Sequence, residues 1–151
     1  MTKFDILNRF SGAIQFTAEI DCSDDTPLST KLWRAVKWGV TNKSDLSGVD
    51  LAGANLSGAD LSRANLSGVN LSGVNLSRAG LRAIGGRSDG HQFYLHKMPE
   101  GPPMLRAGCR FFTLAAARAH WTARRAGTLL GDESLALCDH AERMAKIAGW
   151  L

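Results

Sequence analysis

The sequence predicts a chain that coils in a regular repeat at its centre and carries a β-hairpin and helical structure on each side. Three observations predict this arrangement: a five-residue period at the centre, alternating apolar and polar residues before it, and apolar residues at helical spacing after it. We therefore divide the chain into an N-terminal hairpin and capping helix (1–43), the repeat (44–83) and a C-terminal module (84–151).

The central repeat, read in frame, runs SDLSG, VDLAG, ANLSG, ADLSR, ANLSG, VNLSG, VNLSR, AGLRA. A small residue opens each unit, and Asp or Asn precedes the central leucine in seven of the eight units. Those leucines are Leu46, Leu51, Leu56, Leu61, Leu66, Leu71, Leu76 and Leu81. Neither a helix nor a strand places every fifth residue on one face, so the chain must turn a corner every five residues.

This pattern of small residue, Asp or Asn, Leu and two variable residues resembles the pentapeptide-repeat family. The resemblance implies a right-handed quadrilateral β-solenoid with four units per coil, hence about two coils. The leucines and small residues would form its interior, Asp and Asn would bond the backbone at the corners, and variable pairs such as Ser57-Gly58, Ser62-Arg63 and Ser77-Arg78 would face water. Family members that inhibit DNA gyrase are long acidic rods. This repeat is short and nearly neutral, which excludes DNA mimicry.

The N-terminal segment predicts a cap for the repeat. Residues 3–20 alternate around a turn at Ser11-Gly12, which is typical of a β-hairpin, and residues 27–40 carry an amphipathic helical stripe. Repeat proteins need such a cap, because a bare end exposes apolar core and unpaired backbone groups.

The C-terminal segment predicts a hairpin and two helices. The loop Gly85–Gly90 has the composition of a linker, and a second hairpin is expected over His91–Phe112. Thr113 should cap a short helix from Leu114 to about Arg124, and Asp132 should cap a last helix from Glu133 to about Gly149.

The flanking segments also resemble small proteins of tailed phages and prophages, notably NRFSGAIQFTAEIDC near the N-terminus and LRAGCRFFTLAAARAHW near the C-terminus. This resemblance implies a phage origin and a cytoplasmic location in the bacterial host. The three cysteines are widely spaced without a CxxC pair, which indicates a reducing compartment and neither a disulfide framework nor a zinc site. The sequence has no apolar run of membrane-spanning length, so no membrane partner is expected.

A basic and aromatic group of residues in the C-terminal module predicts a surface for a partner or ligand. We place in it Arg106, Arg110, His120, Tyr94 and Trp121. Arg106 and Arg110 have the even spacing that puts two side chains on one strand face, and Arg suits bidentate capture of phosphate or carboxylate. The alternative is a solvated strand face, with Arg124 and Arg125 merely favoured by the helix dipole.

Catalysis is not predicted. Cys109, His120, Asp139 and His140 form no recognisable catalytic spacing, and Cys109, next to Gly108 in an apolar strand, is interpreted as a small buried residue. We therefore expect a non-enzymatic protein without cofactor or metal.

Three classes of function follow. The first is a phage-encoded interaction protein that presents a surface to a host protein, with a counter-defence role, and works as a homo-oligomer. The second is an oligomeric binder that sequesters a small anionic ligand such as a nucleotide. The third is an enzyme, which a metal or a perturbed Cys109 beside His120 would favour. The net charge of +4 is modest, and direct nucleic-acid binding is not expected.

Overall fold

The computed structural model describes residues 1–61, 64–71, 73–76 and 78–151. They form two compact units, Met1–Gly80 and Leu81–Leu151. The regular elements of the described residues are, in chain order, β1 (Thr2–Leu7), β2 (Ile14–Ile20), α1 (Leu28–Thr41), β3 (Leu81–Gly86), β4 (Gln92–His96), β5 (Met104–Ala107), β6 (Arg110–Thr113), α2 (Leu114–Arg125) and α3 (Leu129–Ile147).

The first unit begins with the predicted hairpin and helix. β1 and β2 pair antiparallel, and α1 starts and ends one residue later than predicted. The ring of Phe16 stacks on Trp38 of α1, with centroids 6.3 Å apart and planes within 10°. A Cβ at Gly39 would lie 2.9 Å from the Phe16 ring, so this glycine lets α1 approach the hairpin closely.

The repeat returns beside itself after twenty residues. Asp50 bridges Asn70 and Asn55 bridges Asn75, both in parallel orientation. The amide of Leu51 donates to the carbonyl of Asn70 over 3.1 Å, and that of Leu56 donates to Asn75 over 2.9 Å. Twenty residues are four five-residue units, which is the spacing expected for four units per coil. The described part of the repeat contains these isolated bridges, whereas the named strands belong to two antiparallel sheets.

The repeat leucines fill the interior, with two exceptions. Six are at most 3% exposed: Leu46, Leu51, Leu56, Leu61, Leu66 and Leu81. Leu71 and Leu76 are half-buried, so the expectation of eight fully interior leucines is wrong for these two. They belong to the sixth and seventh of the eight units.

The corners follow the predicted chemistry. A side-chain oxygen accepts from the backbone amide two residues later at Asp45, Asp50, Asn55 and Asn65. The last position of the unit adopts a left-handed conformation, with φ between +66° and +73° at Gly48, Gly53, Gly58, Gly68 and Gly73. Arg78 occupies the same position with φ +56°. Of the variable residues predicted to face water, Ser62, Arg63 and Ser77 lie outside the described residues.

The hairpin continues the backbone hydrogen bonding of the first coil. Asn8 forms an antiparallel bridge with Val49, and the amide of Arg9 donates to the carbonyl of Gly48 over 2.8 Å. Backbone groups of the first coil therefore find partners in the hairpin, as a cap requires.

The second unit contains a four-stranded antiparallel sheet in the order β3-β4-β5-β6. The hairpin predicted over His91–Phe112 is present as β4 and β5, but β3 and β6 extend it on its two sides, so the expectation of a hairpin alone is wrong. β3 includes Gly85 and Gly86, which the sequence assigns to a linker. The segment expected to be the second strand of the hairpin is divided by a turn at Gly108, whose φ is +60°. A lone glycine inside an apolar run thus starts a new strand.

Two helices cover one face of this sheet. Thr113 caps α2 as predicted, because its hydroxyl accepts from the amide of Ala116. α3 begins at Leu129, four residues before the predicted start, since Thr128 supplies the cap by accepting from Gly131. Their core consists of Ile84, Phe93, Leu95, Leu105, Ala107, Ala117, Trp121, Cys138, Ala141 and Ala145, with Trp150 packed against it. No helix of the described chain has an apolar stretch long enough to cross a bilayer.

Candidate functional site

The turn at Gly108 and Cys109 separates Arg106 from Arg110. Across β5 and β6, Arg106 lies opposite Phe111 and Ala107 lies opposite Arg110. Residues directly opposite each other share a sheet face, and consecutive residues point to opposite faces. Arg106 and Arg110 therefore lie on opposite faces, and the expectation that they share one is wrong.

Arg106 and Tyr94 occupy one face together. They are partners across β4 and β5, and both are buried. The guanidinium carbon of Arg106 lies 4.6 Å from the centroid of the Phe111 ring. Burial lowers the pKa of Arg106, with an opposing effect of Cys109. These two predicted site residues are thus packed side chains away from Arg110.

The other three predicted residues, Arg110, His120 and Trp121, line one cavity of about 740 Å³ within the second unit. We call it the arginine cavity. Its lining includes four basic residues, which we call the basic side (Arg110, His120, Arg124 and Arg125), and four apolar residues, which we call the apolar side (Phe93, Trp121, Leu129 and Leu130). Its volume lies within the range of small-molecule sites, which is roughly 300–1,000 Å³.

Local sequence rules position the basic side. His120 and Arg124 are four residues apart on α2 and so lie on one helix face, while Arg110 follows the β5–β6 turn. The connection from α2 to α3 can be short because Gly131 has no side chain. A Cβ at Gly131 would lie far inside contact distance of the carbonyl oxygen of Arg125, so no other residue fits without a backbone shift.

In the part of the chain that the structure describes, no carboxylate forms an ion pair with the arginines of the basic side. Nη1 of Arg110 donates to Nε2 of His120 over 3.2 Å, which requires a neutral imidazole. Burial, and then the positive charges of Arg110, Arg124 and Arg125, lower the pKa of His120 below its usual 6.5. None of the three arginines has a carboxylate within 4.0 Å among the described residues.

Arg87 and Asp89 form a further wall of the cavity that sequence reasoning missed. Arg87 is buried, donates to both carboxylate oxygens of Asp89, and donates to Oγ of Ser134 over 3.2 Å. The hydrogen bond from Arg87 lowers the pKa of Asp89 to about 2. The Arg87 charge is therefore compensated, unlike those on the basic side. The RSDG turn, with a carboxylate two residues after Arg, was the signal available in the supposed linker.

Trp121 forms a wall of the cavity and offers no open stacking surface. Its side chain is 5% exposed, the Arg87 guanidinium carbon lies 5.2 Å from its ring, and His120 contacts it edge-on at 4.7 Å. Its Nε1–H has no hydrogen-bond acceptor among the residues that the structure describes. Stacking of a flat ligand on Trp121 would require this packing to open.

Comparison with family models matches residues 44–82 to pentapeptide repeats, in eight copies. The chain contains a pentapeptide-repeat segment. The match spans about a quarter of the sequence and includes the leucines on which the resemblance rested. Searches of the curated proteins and of the solved structures found no match. The arginine cavity lies wholly beyond the matched residues, so its chemistry must be argued from its own side chains.

The exposure of Cys109 also differs from the prediction. It is exposed in the β5–β6 turn and lines the arginine cavity, because Gly108 takes the chain out of the strand where a buried thiol was expected. Across the described parts of the protein, no three His, Cys, Asp or Glu side chains come together to hold a metal ion. The arrangement is suited to holding an anion by hydrogen bonds and charge.

Proposed function

We propose that this protein is a non-enzymatic binding protein, in which the repeat is a scaffold and the arginine cavity holds a small anionic ligand. One observation carries the proposal: Arg110, Arg124 and Arg125 surround the neutral His120 in a cavity, without a described carboxylate in reach. An Arg cluster of this kind gains energy when an anion enters, since hydrogen bonds to charged groups contribute roughly 1.5–3 kcal/mol each.

The proposed scaffold is a right-handed quadrilateral solenoid of about two coils. The parallel bridges between residues twenty apart and the buried leucines support it. Stacked chains lie about 4.8 Å apart, so such a scaffold would be on the order of 10 Å long. A stub of this length presents little surface of its own, which favours the second unit as the binding part.

The non-enzymatic part of the proposal is supported by the acid–base groups of the cavity. His120 already accepts from Arg110, and the Asp89 carboxylate is engaged by Arg87 and by Nδ1 of His91 at 3.2 Å. A general base must have a free lone pair directed at its substrate. His120 and Asp89 are thus each engaged by an arginine side chain, which suits binding better than proton transfer.

A phage origin, a host-protein partner, a counter-defence role and homo-oligomerisation remain predictions from the sequence. The cavity favours the anionic-ligand alternative over a flat protein surface, because its charges converge inside a concave site. A protein that sequesters a signalling or metabolic anion would need no catalytic group, which is consistent with the proposed function.

Isothermal titration calorimetry with inorganic phosphate, adenosine 5′-monophosphate and acetate tests the proposal. We expect binding of an anion to the wild type and a loss of at least tenfold in affinity in Arg110→Gln and Arg124→Gln. Arg143→Gln, an exposed position on α3 outside the cavity, is the matched control and should bind normally. Wild-type protein that binds no anion, or an equal loss in Arg143→Gln, would remove the proposed function.

A further inference from the structure

We propose that the anion is a phosphate group, carried by an organic part that contacts the apolar side of the cavity, and that it displaces His120 from Arg110. The released imidazole then takes up a proton and becomes an additional positive group facing the ligand. This inference rests on the proposed function, since it names the ligand class and the response of the same site.

The number of charges favours phosphate over carboxylate. Arg110, Arg124 and Arg125 contribute three arginines to the lining of the cavity. A carboxylate has one charge and two oxygens, whereas a phosphate ester has a charge of about −1.5 to −2 and three acceptor oxygens. A carboxylate would leave two guanidinium groups without a counter-charge, and a phosphate ester would leave about one.

The apolar side of the cavity indicates the organic part. Phe93 and Trp121 are buried there, and Leu129 is 69% exposed at the start of α3. A large aliphatic side chain in water gains when it is covered, at about 25 cal/mol per Å² of apolar surface. Free phosphate would not contact this side, whereas a phosphate ester with an apolar or aromatic group would cover it.

Arg110 can exchange its hydrogen bond to His120 for one to the phosphate group. Nε2 of His120 accepts from Nη1 of Arg110 and holds the guanidinium in place. A phosphate oxygen is a stronger acceptor than a neutral imidazole, because the hydrogen bond becomes charge-assisted on both sides. Once Arg110 donates to phosphate, Nε2 is free to gain a proton, and the imidazolium can donate to the same dianion.

The surroundings of His120 favour this response. Charged side chains of β6 and α2 surround His120. Titratable side chains from the β3–β4 connection and the β5–β6 turn also line the cavity. These groups are Arg110, Arg124, Arg125, Arg87, Asp89, His91 and Cys109. α3 contributes only Leu129 and Leu130 to the cavity. The one carboxylate is engaged by Arg87 and His91, so an entering dianion is the group that can offset the charge around His120.

Sulfate is the appropriate probe for proton uptake, because this tetrahedral dianion does not titrate between pH 5.5 and 8. We expect its affinity for the wild type to rise as the pH is lowered from 8 to 5.5. The total rise should be about tenfold for each unit by which binding raises the pKa of His120. Calorimetry in buffers of different ionisation enthalpy should show uptake of roughly 0.5–1 proton per sulfate near pH 6.5. Affinity independent of pH, with no proton uptake, would overturn the inference while leaving anion binding established.

Two variants test whether His120 is the group that takes up the proton. His120→Gln keeps an acceptor for Arg110 but cannot titrate, so it should still bind sulfate without proton uptake. His91→Gln removes the other imidazole of the cavity and should retain the uptake. Proton uptake that persists in a folded His120→Gln protein, checked by circular dichroism and thermal melting, contradicts the assigned role.

The ligand class is tested by affinity order. We expect adenosine 5′-monophosphate to bind more tightly than inorganic phosphate, and phosphate more tightly than acetate, with adenosine alone giving no measurable heat. Equal binding of phosphate and the nucleotide would overturn the inference that the ligand has an organic part. Acetate binding as tightly as phosphate would overturn the phosphate assignment. Failure of all anions to bind would overturn the proposed function itself.

Discussion

Arg106 lies directly opposite Phe111 across the β5–β6 pair, and its guanidinium carbon lies 4.6 Å from the centroid of that ring. This pairing places Arg106 on the sheet face away from Arg110, although the two are four residues apart. A buried cation over an aromatic ring contributes to packing, at roughly 1–2 kcal/mol when desolvated. The two arginines therefore have different roles.

The first prediction separates these roles by substitution. Arg106→Gln should lower the free energy of unfolding by about 1–3 kcal/mol, because it removes a buried charged side chain from its contact with Phe111. Arg110→Gln, at an exposed position, should change stability by less than about 0.5 kcal/mol and instead weaken anion binding. Urea unfolding of both variants measures the difference, and the reverse order of stabilities would contradict the assignment.

The second prediction concerns the interior of the repeat. Leu61→Asp places a carboxylate at a fully buried position, which should cost roughly 4 kcal/mol or more and unfold the first unit. Ala52→Asp, at an exposed corner of the same repeat, is the matched control and should leave the melting temperature nearly unchanged. A Leu61→Asp protein with a native circular dichroism spectrum and melting temperature would refute the buried leucine interior.

The third prediction uses the left-handed corners. Arg78 has φ +56° where five equivalent corners have glycine, so Arg78→Gly should raise the free energy of unfolding by about 0.5–1 kcal/mol. Gly58→Ala should lower it by about 1 kcal/mol, and since nothing lies within 4 Å of the added Cβ, the loss reports backbone strain alone. Chemical denaturation measures both, and equal effects of the two changes would be inconsistent with this account.

The fourth prediction concerns acid stability. The pKa of Asp89 is lowered from 3.8 to about 2, chiefly by its hydrogen bond from Arg87. A lowered folded-state pKa stabilises the protein above the unfolded pKa, and the contribution is lost as the pH falls from about 4 to about 2. Unfolding measured across this range should show the loss in the wild type. Asp89→Asn should already lack the contribution at pH 5 and show a shallower decline below pH 4.

The fifth prediction is self-association. Leu7, Phe10 and Ile14 are exposed apolar side chains at the connecting end of the first hairpin, with Phe10 73% exposed. Such groups, together with the strand edges of a two-stranded sheet, favour contact with a second copy. Light scattering at micromolar concentration should give a mass of at least twice 16.2 kDa. A single species of 16.2 kDa would contradict it.

Features with a local cause were predictable from the sequence. The five-residue period identified the inward leucines, because a corner every fifth residue is the arrangement that brings them to one side. The corner hydrogen bonds of Asp45 and Asn55, and the Thr113 cap of α2, each depend on residues two or three positions apart. Chain neighbours decide such contacts, so composition and spacing are sufficient.

The site depended on tertiary structure. A turn at Gly108 moved Arg106 to the opposite sheet face from Arg110, and the supposed linker placed Arg87 and Asp89 in the cavity wall. The sequence by itself determined the corners of the repeat and the burial of six of its eight leucines. Strand pairing and the close approach of α3 to α2 at Gly131 decided which of them meet, because one residue of register reverses a side chain's face and no local pattern records that choice.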